Sequence, residues 1–454
     1  MPRYPGFIGG SYYASKVDTQ RSINLYPEAV ESGSRPPVLR GTPGTDLWHT
    51  APKSPIRALW SGDDGTRCFV VAGDTLYEVD SFGTFSSRGA VGNDSNPAEI
   101  YVNGTQLLCI SAGQAYISNG GAVSSVGMPT ATSGGFIDGY FLAARPDSRQ
   151  FDISEINDGT TWDALEYAIK EAYPDHIKRL FVDHSDVWLF GTESIEVWRN
   201  TGNADFPFQR DPGAFIMKGL KAKYSTVRLA GGVAFLGGDS RGSTVAYHAV
   251  GFQPKRVSTH AIETMWKSYN DTTNAVSFAY SDNGHDFWVI QFPNEGTWVY
   301  DATTQIWHER SFWDGSDHAR WKPQYHCEAF GKHLVGDYGS GKIFEMGGEI
   351  MDDDGTVIKR LRAAPDVNQD GRPIFYDQFQ LDLLTGAGTL SATLEYTDDG
   401  ATWKTRDTLS PAYLDFGARV IWRRLGRSRN RAWRVQIESS GLVVITDAFI
   451  NNNN

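Results

Sequence analysis

Residues 176–198 read HIKRLFVDHSDVWLFGTESIEVW. An apolar strand runs into a polar turn, a second strand carries aromatics, and a Gly-led turn opens a third strand that ends on an aromatic. Apolar and polar residues alternate with the period of two that a pleated strand imposes. The same grammar recurs in IRALWSGDDGTRCFVVAGDTLYEV (56–79), EIYVNGTQLLCISAGQAYISNG (99–120) and NAVSFAYSDNGHDFWVIQFPNEGTWVYD (274–301). GFIDGYFLAARPDSRQFDIS (135–154), YSTVRLAGGVAFLGGD (224–239) and YHCEAFGKHLVGDYGSGKIFEM (325–346) bring the units to about seven, starting roughly 36 to 51 residues apart.

Short strands in a degenerate repeat of this length are the mark of a β-propeller, because one such unit cannot bury its faces alone and must close into a ring. The expected fold is therefore all-β, a propeller-like body of six or seven blades over residues 56–350; a pair of β-sandwiches is the rival. After residue 350 the texture changes. MDDDGTVIKRLRAAPDVNQDGRP is polar and turn-rich, a linker or hairpin, and five strands follow, so residues 351–454 are read as a C-terminal β-sandwich-like domain. Residues 1–55 are read as an extended segment that packs on the body or completes a blade. One stretch breaks the pattern: TTWDALEYAIKEAYPD (160–175) places Leu165, Ala168 and Ala172 at helical spacing before Pro174, so it reads as a short helix or a loop between blades.

Composition agrees. The chain has 454 residues, 40% hydrophobic and 21% charged, which is ordinary globular material in two or three domains. Aromatics at 13%, with 48 Gly and 20 Pro, favour strands and turns. The first residues, MPRYPGFIGGSYYASK, lack the apolar core of a signal peptide, and no run approaches the roughly 18–20 apolar residues of a membrane span. Cys68, Cys109 and Cys327 stand in no metal spacing, and two sit in apolar runs, so buried thiols made in a reducing cytosol are expected. A net charge of −12 argues against a general nucleic-acid binder, but does not exclude a protein past which DNA slides without sticking.

Few residues point to chemistry. DVNQDG (366–371) matches the opening of a calcium loop, with Asp366, Asn368, Asp370 and, at the twelfth position, Asp377 as ligands; Pro373 and strand-like flanks favour a plain turn. DDGATW (398–403) and NDGTTW (157–162) resemble the Asp-box turn of sialidase propellers. That makes a carbohydrate-binding or sialidase-like propeller acting on host glycans the alternative function, although no arginine cluster with a Tyr–Glu pair is singled out. MDDDG (351–355) reads as a solvated tip. His176 and His184 flank a strand, while His308, His318 and His326 each stand alone; no metalloprotease, serine-hydrolase or phosphate-loop motif occurs. No catalytic residue, cofactor or metal is expected.

The outlier is RVIWRRLGRSRNRAWRV (419–435). It has seven arginines (Arg419, Arg423, Arg424, Arg427, Arg429, Arg431, Arg434) and no acid, in a chain that stands at −19 without them. It reads as a hairpin, strand 419–425 and strand 431–438, with Trp433, Val435 and Ile437 on one face and Arg434, Gln436 and Glu438 on the other. Guanidinium groups fork onto carboxylates and stack on Trp. Against 54 acids, a contact between subunits or domains outranks a phosphate contact.

The run RVIWRRLGRSRNRAWRVQI also resembles the C-terminal region of the packaged-DNA stabilisation proteins of short-tailed phages, known too as tail accessory factors or tail hub (nozzle) proteins. INLYPE and LRGTPG near the start, LEYAIKEAYPDHIKRL, DVWLFGTESIEVWRNTG, FPFQRDPGAFIMKGL, GFQPKRVSTHAIE and the TDDGATW turn agree in order. The resemblance covers most of the chain from residue 20 and is weakest over the early blades. It implies a non-enzymatic virion tail protein, made in the host cytoplasm, with a propeller-like body in a homohexameric ring. That ring would sit below the portal and the head-to-tail adaptor ring, beside needle, tailspike or fibre proteins. It would retain packaged DNA and let it pass on ejection, with no membrane insertion by this chain.

Overall fold

The computed structural model describes residues 1–12, 20–28, 37–127, 130–238, 242–368, 372–386, 388–411 and 417–453. Among them stand seven blades, each of four antiparallel strands. Their first strands are Ile56–Ser61, Glu99–Val102, Ser133–Ile137, Ile177–Asp183, Val227–Leu229, Val276–Asp282 and Pro323–Ala329. These pack in sequence, and the seventh packs on the first, so the ring is closed. Between the fourth and fifth, Arg228 donates to the Val182 carbonyl at 2.8 Å.

The second strand of each blade explains the closure. In Cys68–Ala72 every residue is buried, because both faces are covered. Alternation sends Cys68, Val70 and Ala72 into a core shared with blade seven, and Phe69 and Val71 into one shared with blade two. Leu107 and Cys109 point back to blade one, Leu108 and Ile110 forward to blade three. The rule repeats to Leu334, which packs with blade one, and Val335, which packs with blade six.

The seventh blade is completed from the other end of the chain: Gly44–Thr50 pairs with Lys342–Gly347 as its outer strand. The N-terminal segment thus completes a blade, and it also packs elsewhere. Arg21–Ile23 runs beside Ile306–Trp313 of blade six on one edge and Lys359–Ala363 on the other. Propeller and C-terminal domain therefore share a continuous eleven-stranded sheet. Asn24, at φ 55°, turns the chain out of that sheet and bonds to both sides, to Ser311 and to the Lys359 carbonyl.

The C-terminal domain is a sandwich. One sheet holds Ile374–Thr385, Ala418–Ser428 and Val443–Asn453 with Leu25–Glu28 and Val38–Gly41; the other holds Lys359–Ala363, Leu390–Thr397, Lys404–Leu409 and Asn430–Ser439. Phe379, Leu381, Trp422 and Ile450 meet Leu394, Trp433, Val435 and Ile437 between them. Where five strands are expected, LSATLEYTDDGATWKTRD forms two, which gives six.

Two expectations are corrected. The arginine-rich run is not a hairpin: Ala418–Ser428 bonds to Ile374–Thr385, whereas Asn430–Ser439 bonds to Leu390–Thr397 and Lys359–Ala363. Trp422 and Trp433 must enter one core from opposite sides, so the chain crosses between sheets at Arg429 rather than folding back in plane. Residues 160–175 form no helix; Tyr167–Ile169 is the outer strand of blade three, and Leu165 is exposed on the turn before it. Among the described residues the α-helix lies instead at His260–Trp266, capped by Thr259 and burying Ile262 and Trp266. The polar stretch after residue 350, read as a linker or hairpin, forms a short hairpin, Asp352–Asp353 with Thr356–Val357, and then the buried strand Lys359–Ala363.

On that strand Arg362 is fully buried and has no carboxylate partner among the described residues. Its guanidinium donates to the carbonyls of Phe7 (2.5 Å), Gly6 and Gly10 (2.8 Å each) and to the Gln20 side chain (3.1 Å), pinning the N-terminal segment. Arg362→Ala would strand these acceptors, each worth roughly 1–3 kcal/mol when buried without a donor. The expected outcome is a loss of at least about 3 kcal/mol in urea denaturation, with faster proteolysis near residue 10.

Candidate functional site

The structure divides the seven arginines. Arg431 is 5% exposed and forks onto Asp398, Nε to Oδ1 at 2.7 Å and Nη2 to Oδ2 at 2.8 Å, while Nη1 donates to the Leu425 carbonyl at 2.6 Å. It also lies 4.2 Å over the Tyr396 ring. Burial pushes the Asp398 carboxyl up, but the Arg431 bonds outweigh it and hold the group below the usual carboxylate range. Arg434 bonds to Glu395 at 2.6 Å and stacks 4.4 Å over Trp403. Arg419 pairs with Asp382 at 2.9 Å on the surface. All three are paired with carboxylates of the same domain.

Arg423, Arg424, Arg427 and Arg429 are exposed and meet no carboxylate among the described residues. Strict alternation would turn one of the neighbours Arg423 and Arg424 inward. A bulge against Tyr376–Gln378 prevents it: Arg424 takes φ 57°, both arginines face solvent, and Leu425 is buried instead. Arg424 and Arg427, with Phe375, Tyr376, Asp377 and Gly426, line an open groove of about 500 Å³. Phe375 is 51% exposed there, with Arg427 5.7 Å over its ring.

The calcium-loop candidate falls partly outside the described residues. Asp370 and the side chain of Asn368 lie outside the described residues, Val367–Asn368 forms a bridge strand beside Arg431, and Asp377 lies in the basic groove. The two Asp-box stretches are turns whose carboxylates are saturated. Asp158 accepts from Thr160, Thr161 and Gln106, and Asp399 from Ala401, Thr402 and Thr397. Those bonds, chiefly from Thr160 and from the Thr402 backbone, hold both carboxyls well below the usual range.

Other groupings were not read from the sequence. Lys170, Asp175 and Ser194 form a buried cluster, with Lys170 Nζ 2.5 Å from Ser194 Oγ and bonded to Asp175. It resembles a nucleophile with its base, but Lys170 and Ser194 are 0% exposed and no substrate reaches them. Cys68 and Cys327 meet at the blade seven–one seam, Sγ to Sγ 4.0 Å, and all three cysteines are buried. His326 does not stand alone: it lies beside His333 and Glu328. The division of arginines is checked by mutation. Arg431→Ala is expected to cost roughly 2–3 kcal/mol, and Arg423→Ala or Arg429→Ala at most about 0.5 kcal/mol, in urea titrations.

Among solved structures, two of the extracellular domain of BT4673 from B. thetaiotaomicron match at 10% and 12% identity with a TM-score of 0.44, over 82% of this chain and 48% of that one. The Myceliophteria thermophila Cps50 (Swd1) β-propeller domain matches at 9% identity with a TM-score of 0.42, over 66% of this chain and 99% of that one. No curated protein sequence matches. Two family models do. "Bacteriophage P22 Gp10, beta-propeller" matches residues 8–351, and "Bacteriophage P22 Gp10, beta-sandwich" matches residues 359–453. The chain, a propeller joined to a sandwich with matches over both, belongs to the bacteriophage P22 Gp10 family of DNA-stabilisation proteins of short phage tails.

Proposed function

We propose that the chain assembles into a homohexameric ring, a tail hub or nozzle that continues the DNA channel below the portal and adaptor ring. It retains the packaged genome, lets it pass on ejection, and contacts needle, tailspike or fibre proteins. The family match supports the tail setting. The observation that carries the ring is the bulged strand at Arg423 and Arg424, which presents guanidinium groups that meet no carboxylate among the described residues, from a chain of net charge −12. Copies of an acidic protein supply the carboxylates that these groups lack, and desolvated arginine forks are frequent anchors of interfaces. An acidic chain also lowers the affinity of its walls for DNA.

The proposed ring has no catalytic role. Among the described residues no helix is long and apolar enough to cross a membrane. The glycan-directed alternative draws nothing from the Asp-box carboxylates, whose acceptor sites are filled by their own turns.

Sedimentation of the full-length protein with its adaptor tests the ring; a stable monomer under those conditions would sink it. The double variant Arg423→Ala, Arg424→Ala is expected to weaken assembly about tenfold or more, as loss of an interface anchor does, and to leave DNA affinity unchanged. Intact assembly together with lost, salt-dependent DNA affinity would reassign these residues to phosphate contact.

A further inference from the structure

We infer that His326, Glu328 and His333 form a binding site for a divalent transition-metal ion of Zn²⁺ character on the inner hairpin of blade seven. Pro323–Ala329 and Lys332–Asp337 are joined by Phe330 and Gly331, both at positive φ (57° and 72°). A two-residue turn of this kind follows the twist of the strands and fixes their register. Glu328 therefore stands directly across from His333, and His326 lies two residues along on the same face.

His326 Nε2 is 3.0 Å from His333 Nδ1, and Glu328 Oε1 is 3.7 Å from the same Nδ1. One donor atom from each residue lies within 4.8 Å of the other two. Ligands at zinc bond lengths in a tetrahedral shell stand roughly 3.3 Å apart, so only small side-chain shifts bring the three onto one ion. Two imidazoles and a carboxylate are a borderline-soft donor set that suits Zn²⁺ and leaves a fourth position to solvent.

The neighbouring blade supplies the outer support. Its strand Val276–Asp282 carries Phe278 and Tyr280 against the two imidazoles. His326 stacks on Phe278 at 5.7 Å, and Tyr280 packs edge-on against His333 at 6.3 Å. Glu328 is 66% exposed, so an ion enters from solvent. Bound there, it ties together two strands of the blade on which the ring closes.

The test uses full-length protein stripped with a chelator and titrated with Zn²⁺ by calorimetry. One ion per chain is expected, with no binding of Ca²⁺, and Co²⁺ in its place should give visible ligand-field bands. His333→Ala is expected to weaken binding by more than the roughly 10–100-fold that loss of an outer partner costs. Glu328→Ala removes an exposed side chain without disturbing the core, and should weaken it by at least about tenfold; this variant decides alone if His333→Ala misfolds. Failure of the wild-type chain to bind Zn²⁺, or affinity unchanged in Glu328→Ala, overturns the assignment.

Discussion

A strand buried on both faces needs two neighbours, and that requirement organises this molecule. Each blade's second strand is apolar on both sides, so a blade added to either side leaves another uncovered face until the last meets the first. The seven seams are physically equivalent in kind but not in content: Cys68 with Cys327 at one, and the Trp266, Trp288, Trp298 and Trp307 group at another. Removing one blade would expose two cores, which is why the ring behaves as one unit although no single blade has a core of its own.

The sandwich is attached by backbone hydrogen bonds rather than by a tether. The strand Arg21–Ile23 lies between blade six and Lys359–Ala363, and Asn24 bonds across the same joint. Arg310 reinforces it from the propeller side, 3.5 Å over Trp321 and donating to the Pro43 carbonyl at 2.6 Å. Such a joint holds the basic groove of the sandwich at a fixed position relative to the ring, which an interface of defined geometry requires.

The propeller was legible because its information is local. CFVVA and LLCIS announce two-sided burial, and Gly-rich turns mark the hairpins. What was hidden is long-range. Alternation in RVIWRRLGRSRNRAWRV assigns each side chain to a face, but says nothing about which sheet receives the strand, so two strands of different sheets read as a hairpin. Tyr167–Ile169 was obscured because Leu165, Ala168 and Ala172 fall at helical spacing by chance, while Leu165 faces water. His260–Trp266 is only seven residues long, too short for periodicity to show. The family resemblance rested on ordered motifs and extended to the whole architecture. The His326–Glu328–His333 grouping could have been found, since the turn in EAFGKH sets Glu328 opposite His333.

The outer strand of blade seven has a consequence for how the chain comes to be folded. Gly44–Thr50 leaves the ribosome about 290 residues before the strand Lys342–Gly347 that receives it, a delay of roughly 15–60 s at ~5–20 residues per second. Until that strand is made the nascent ring is an open arc with an unsatisfied β edge, exposed to pairing with another chain. Closure is a late, high-contact-order event, so the propeller reaches its finished circular form only after just over three quarters of these residues have been made.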